Sequence, residues 1–272
     1  MSKTPETENL AVFCDFENIA LGVRSARYAE FDIGKVLERL LLKGSIVVKK
    51  AYCDWERYKD FKAVMHEAAF ELIEIPHIRQ SGKNSADIRM VVDALDLCYT
   101  KSHVDTFVIV SGDSDFSPLV SKLRENNKIV IGVGVKNSSS DLLIANCDEF
   151  IYYDDLVRKK QVRKKPSQGK PRPGARAAAP LAKEEKEAED RTQEALDLIL
   201  ETLEALAEER GSEEKIWGSM VKQTLKRRRP GFNESYYGFR SFNRLLEEAA
   251  DRGLMELESD EKSGGYIIRR FH

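Results

Sequence analysis

Apolar and polar positions follow two periods along the first 155 residues. Strand-like runs fall at 10–15 (LAVFCD), 45–53 (SIVVKKAYC), 72–75, 106–111 (TFVIVS), 129–135 (IVIGVGV) and 149–153. Between them apolar residues recur at helical spacing over 33–42, 58–70, 86–99, 116–125 and 141–146. Ser85 is placed to cap the third of these helices, and Pro118 is tolerable in the first turn of the fourth. Strands alternating with helices predict an α/β domain built on a mostly parallel sheet. The nearly continuous apolar runs FVIV and IVIGV predict strands covered on both faces. In such sheets a ligand sits outside the carboxyl ends of the strands.

Beyond 157 the pattern breaks. Residues 158–183 are rich in Lys, Arg, Pro, Gly and Ala and lack the apolar content to bury a core. They predict a basic flexible linker, which extends to 189. A helical pattern resumes from Asp190 with Ala195, Leu196, Ile199, Leu200, Leu203 and Leu206. Further helices are expected over 216–225 and 239–252, followed by Gly253, a strand at 254–257, a turn at 261–265 and a strand at 266–268. Three helices and a hairpin predict a small winged-helix-like α+β domain over 190–272.

Composition sets limits. The chain is 42% hydrophobic and 33% charged, enough to bury a core beneath a heavily solvated surface. No run approaches the roughly 18 apolar residues that span a bilayer. The N-terminal stretch 1–9 is polar and acidic, unlike a secretory signal. The expectation is a soluble, cytoplasmic protein without a membrane partner. Cys14, Cys53, Cys98 and Cys147 lack metal-ligand spacing, which disfavours zinc and predicts buried reduced thiols.

A net charge of −2 conceals strong segregation. Residues 1–155 hold 19 basic and 25 acidic side chains, while 156–183 hold 10 basic and no acidic ones. Residues 184–210 are acidic again, with 3 basic against 11 acidic, and 211–272 carry 12 against 10. The basic stretch between two folded parts implies a polyanionic partner. The acidic 184–210 segment can pair with a basic face in cis or in trans, which leaves a homo-oligomer open.

The chemistry concentrates at the strand ends. Asp15 closes the first strand inside DFEN, with Asn18 in the turn beside it. Asp113 and Asp115 follow the TFVIVS strand inside SGDSD, and Asp87 opens the helix after the polar loop 77–84. If the first strand and TFVIVS are neighbours, Asp15 and Asp113 converge and Asp87 reaches them. Crowded carboxylates repel unless a cation neutralises them. Hard oxygen ligands suit Mg²⁺ or Mn²⁺, which activate water for attack on phosphorus. Simpler roles exist: Asp115 as a helix N-cap, Asp87 as an acid favoured by the helix dipole, Asp93 as a structural acid and Asp141 as a helix start. Arg79 and Lys83 in the loop before Asp87 are candidate phosphate holders, or solvated loop charges. In the C-terminal part Lys222, Lys226, Arg227, Arg228, Arg229, Arg240 and Arg244 form a basic set suited to RNA phosphates. Tyr236, Tyr237, Phe239 and Phe242 interleave with it, either as stacking platforms or as core.

The motifs DFEN, KNSADIRMVVDAL and VSGDSDF, in that order over residues 10–155, resemble the NYN domain, a PIN-like nuclease family. The resemblance implies a Rossmann-like parallel sheet and Mg²⁺- or Mn²⁺-dependent RNA cleavage. It carries the family's acidic positions onto Asp15, Asp87, Asp113 and Asp115, its amide onto Asn18 and its further helix acid onto Asp93. The segment GFNESYYGFRSFNRLLEEAADRGLMEL resembles the LOTUS, or OST-HTH, domain. That likeness implies binding of RNA, structured or G-rich RNA included, or of a protein partner.

The leading expectation is therefore a metal-dependent endoribonuclease. One rival is a non-catalytic RNA-binding regulator with a structural metal site. A haloacid-dehalogenase-type phosphatase is disfavoured, because DFEN is not the DxDx[TV]-like segment that chemistry needs.

Overall fold

A computed structural model describes residues 8–28, 30–75, 85–157, 179–210, 215–260 and 265–271. The chain divides into two compact units after Val157.

The first unit runs β1 (Glu8–Asp15), α1 (Phe16–Ser25), α2 (Ile33–Leu41), β2 (Gly44–Cys53), α3 (Lys62–Glu67), β3 (Glu71–Glu74), α4 (Ser85–Thr100), β4 (Thr106–Val110), α5 (Ser117–Glu125), β5 (Ile129–Gly134), α6 (Asp141–Asn146), β6 (Glu149–Tyr152) and α7 (Tyr153–Val157). Its six strands lie in the order β3-β2-β1-β4-β5-β6 and all pair in parallel. The strand order reverses between β1 and β4, which makes their carboxyl ends the topological switch point where α/β sheets bind ligands.

Period-two alternation sorts the central strands between two cores. Leu10, Val12 and Cys14 of β1 join Val108 and Val110 of β4 beneath α1 and α2. Ala11 and Phe13 join Phe107 and Ile109 beneath α4 and α5. The Phe13 and Phe107 rings stack 6.0 Å apart across the strand pair. With both faces buried, β1 carries no charge from Asn9 to Cys14 and β4 none at all, so the strand end at Asp15 is fixed by packing on either side.

Two elements depart from the sequence expectation. DFEN is the start of a helix, not a turn: Asp15 caps α1, whose Phe16, Ile19 and Val23 are buried. The stretch expected to be helical from 58 to 70 divides into a 3-10 turn at Lys59–Phe61 and a short α3, and ends at Ala69 with a positive φ of 57°.

The second unit runs α8 (Ala179–Arg210), β7 (Ile216–Trp217), α9 (Gly218–Arg228), α10 (Phe242–Asp251), β8 (Met255–Asp260) and β9 (Gly265–Phe271). Its antiparallel sheet has the order β7-β9-β8. The helix expected from Asp190 begins earlier, inside the stretch read as linker. The helix expected from 216 is preceded by a two-residue strand in which Ile216 pairs with Ile268. Gly218 begins α9 in close packing against α10, where a Cβ would lie 2.8 Å from Leu246 Cδ1. The third helix starts at Phe242 rather than 239: Gly238 sits at φ 90°, and the Ser241 side chain caps the helix from the Arg244 N–H. Gly253, at φ 74°, closes it with bonds from Gly253 and Leu254 N–H back to Ala250 and Ala249. Among the described residues no helix is long and apolar enough to cross a membrane.

Candidate metal centre

The site grows from the adjacency of β1 and β4. Their register sets Cys14 against Val110, so Asp15 and Ser111 leave the sheet side by side. Asp15 is 8% exposed. One carboxylate oxygen accepts the Asn18 N–H at 3.3 Å, and the other accepts the buried Ser111 hydroxyl at 3.0 Å. The same hydroxyl oxygen accepts the Asp113 N–H at 3.2 Å. Asn18 Oδ1 accepts the Gly112 N–H at 2.9 Å, tying α1 to the turn after β4. Asp113 Oδ1 accepts the Asp115 N–H at 3.0 Å and so caps the 3-10 turn Ser114–Phe116 that leads into α5. Gly112 is required here by close approach: a Cβ would stand 2.6 Å from the Ser138 carbonyl of the loop after β5.

The electrostatics follow from this packing. Burial pushes the Asp15 carboxyl up to about 7; the negative charges of Asp87 and Asp113 push the same way, and the Ser111 and Asn18 hydrogen bonds offset part of the rise. Asp87, in the first turn of α4, is raised to about 6 by burial and then by the charges of Asp113, Asp115 and Glu17. A single neighbourhood thus holds Asp15 from β1, Asp87 from α4, and Asp113 and Asp115 from the turn after β4.

These groups form a loose cluster and not a closed cage. Among the described residues, no three or more His, Cys, Asp or Glu side chains are gathered as ligands to one ion. Like charges without a counter-ion repel, and the Asp15 oxygens are turned toward Ser111 and Asn18. The donor set still fits Mg²⁺ or Mn²⁺ in kind, being hard, anionic oxygen. Mg²⁺ in particular is held by one or two carboxylates while keeping several waters.

Several sequence expectations are changed by these contacts. Asn18 lies in the first turn of α1, and its side-chain oxygen is used by the Gly112 N–H. Asp113, not Asp115, is the cap of the turn before α5, and Asp115 is exposed. Asp93 has a structural setting: it accepts the buried Tyr52 hydroxyl at 2.9 Å and pairs with Arg89 at 3.1 Å and Lys50 at 3.5 Å. Asp141 opens α6 behind the Ser140 cap. Arg79 and Lys83 lie outside the described residues. Glu17 is an acid that sequence reasoning missed, although it stands inside DFEN. The loop 136–140 was missed as well, and its Ser140 N–H donates to Gly112 O at 2.9 Å.

In the second unit the basic set divides. Lys222 pairs with Glu234 at 2.8 Å, Arg228 with Glu201 at 2.5 Å and Arg244 with Glu247 at 2.6 Å. Arg227, Arg229 and Arg240 are exposed, and among the described residues no ion pair is recorded for them. Phe242 is buried, and Tyr237 and Phe239 pack against the same core, so these aromatics are core rather than free stacking platforms. The four cysteines are free and buried.

A parallel sheet with carboxylates gathered at its switch point defines an α/β domain of PIN-like type. The sequence profile of the NYN domain matches residues 9–154, and the chain belongs to the NYN-domain family. Over 148 residues it is 28% identical to "Meiosis regulator and mRNA stability factor 1" of Xenopus tropicalis, which covers 54% of this chain and 9% of that protein. An uncharacterized protein of Methanocaldococcus jannaschii is 31% identical over 138 residues, covering 49% of this chain and 54% of its own length. The chain thus spans about half of the archaeal relative and less than a tenth of the frog one. A crystal structure of a Vibrio parahaemolyticus protein of unknown function matches with a TM-score of 0.51 and 28% identity, covering 57% of this chain and 98% of that one.

Proposed function

We propose that this protein is a divalent-metal-dependent endoribonuclease whose acid cluster works on an RNA phosphodiester and whose second unit adds affinity for RNA. One observation carries the reading. Asp15, buried at the end of β1, is joined through the Ser111 hydroxyl to the Asp113 turn after the neighbouring β4, and burial and neighbouring acids raise Asp15 and Asp87 alike. Perturbed carboxylates at a switch point mark a functional site rather than a structural ion pair. A bound Mg²⁺ or Mn²⁺ would supply charge neutralisation and an activated water. Asp15, Asp87, Asp113 and Asp115 are the groups to hold it. Ser111 and Asn18 orient Asp15 and the Gly112 turn, and so set where the acids point.

The name of the frog relative, an mRNA stability factor, agrees with RNA as the substrate class. In the second unit the exposed Arg227, Arg229 and Arg240 suit backbone phosphates. The LOTUS resemblance and the helix–strand–helix–helix–hairpin order agree with that role. One feature favours the rival reading of a non-catalytic RNA-binding regulator: among the described residues the acids do not form a closed ligand group.

Cleavage of labelled RNA by the full chain with Mn²⁺ decides between the two. The wild type cuts, and Asp113→Asn loses roughly a hundredfold or more in rate, about 3 kcal/mol in the barrier. Equal cleavage by wild type and variant dismisses the assignment. Binding that needs no metal, with no RNA cut, favours the regulator.

A further inference from the structure

A polyanion must approach a cluster whose nearest charges are negative, and the loop cations before α4 lie outside the described residues. One described cation stands at the rim. Beyond β2 the chain turns back on itself, closed by the Arg57 N–H donating to Asp54 O at 3.1 Å. Trp55, 1% exposed, fastens this turn. Its backbone N–H donates to Glu74 Oε1 at 3.0 Å and its indole N–H to Ile73 O at 3.1 Å. Its ring packs 5.1 Å from that of Phe16, with Tyr58 and Phe61 against the same ring at 5.6 and 5.1 Å. Phe16 lies between Asp15 and Glu17, so the turn is anchored to the segment that delivers the first site carboxylate.

From this anchored turn Arg57 Nη1 reaches Glu17 Oε1 at 3.1 Å. The two side chains are 52% and 37% exposed. Glu17 lies in the first turn of α1, two residues after its cap Asp15, so the pair borders the acid cluster. A guanidinium carries five N–H donors in a planar fork, and this contact uses one face of it. An exposed pair of this kind contributes little to folding. A bidentate phosphate contact is stronger and geometrically matched.

We propose that Arg57 is a substrate-positioning residue that receives a backbone phosphate of the bound strand at the rim of the acid cluster, with Glu17 as the tether that holds its guanidinium ready. The proposal rests on the reading of the substrate as a nucleic acid. It adds the cation that brings the strand's negative charge up to an acidic site.

The test measures binding of a fluorescein-labelled 12-nucleotide RNA to the full chain over a KCl series, with Ca²⁺ in place of Mn²⁺, alongside cleavage kinetics in Mn²⁺. Arg57→Ala is expected to weaken binding by about tenfold and to reduce the slope of log affinity against log salt by about one phosphate contact. Its loss in cleavage falls on KM rather than kcat. Arg57→Lys restores the salt slope but only part of the affinity, because a point charge lacks the fork. A melting temperature unchanged in Arg57→Ala separates these effects from misfolding. Unchanged affinity and slope in Arg57→Ala, or a loss confined to kcat, overturns the proposal. Absence of cleavage by the wild type, with the Arg57 effects on binding intact, discards the hydrolytic reading and keeps Arg57 as the phosphate contact.

Discussion

The acid cluster of the first unit and the paired surface of the second treat charge in opposite ways. In the second unit acids and bases are matched: Lys222 with Glu234, Arg228 with Glu201, Arg244 with Glu247, Arg269 with Glu258, and Arg252 with both Glu189 and Glu248. Burial raises the Glu234 carboxyl, but the Lys222 ammonium and its hydrogen bond outweigh this and hold it below its ordinary value. At the switch point of the first unit the shifts run upward, because burial and like charge act together on Asp15 and Asp87. Matched charges serve the fold. Unmatched acids work against it, and a rigid sheet end is what lets them persist. Within the second unit Arg227, Arg229 and Arg240 are exposed, and the proposed function assigns them to RNA phosphates.

The largest test of this contrast is Asp15→Asn. An amide oxygen keeps the cap by accepting the Asn18 N–H, while its NH2 can only donate toward Ser111 Oγ, and the group cannot ionise. RNA cleavage is expected to fall by roughly a hundredfold or more, about 3 kcal/mol, while stability toward urea at pH 8 rises. With a folded pKa of about 7 against an ordinary value of 3.8, the gain has an upper bound of about 4 kcal/mol. Loss of stability would place Asp15 among the structural charges instead.

A smaller effect lies in the pH dependence of the metal-free protein. The raised carboxyl binds its proton more tightly folded than unfolded. Its contribution to stability is therefore fully present below pH about 4 and is lost as the pH rises through about 7. Urea midpoints across pH 4–8 should decline over this window in the wild type and flatten in Asp15→Asn. A wild-type curve that rises over the same window contradicts the assignment.

Smaller again are the effects in the second unit. Replacing Arg227, Arg229 and Arg240 by Ala should leave stability within about 0.5 kcal/mol and reduce the salt slope of RNA binding by about one per arginine. Lys222→Ala removes the partner of a half-buried Glu234 and should cost about 1–3 kcal/mol in urea unfolding. If the triple variant unfolds and Lys222→Ala does not, the division of this basic set is wrong.

Much of this arrangement was legible in the sequence where burial leaves a strong signal. The runs in β1, β4 and β5 alternate between two buried faces, and an aspartate closing such a run stands out against them. Asp15 and Asp113 were singled out on that basis, Asp87 as the acid opening a helix after a polar loop and Asp115 as the second acid of SGDSD. Short-range competition was harder to read. Asp113 and Asp115 are both able to cap the turn, and geometry alone selects Asp113. Helix α1 was hidden because DFEN has the composition of a turn, although Phe16, Ile19 and Val23 carried its period. β7 has two residues, too few for any periodicity. Glu17 and Arg57 are 40 residues apart, and their pairing depends on β1 lying beside β2, which no local pattern states.

Calorimetric titration of Mn²⁺ into the metal-free full chain at pH 6.5, in two buffers of different ionisation enthalpy, addresses the acid cluster itself. The account predicts saturable binding that releases protons from the raised carboxyls, weakened roughly tenfold or more by Asp113→Asn. Absence of saturable binding, or binding of equal strength without proton release in the Asp113→Asn protein and the wild type, would contradict it.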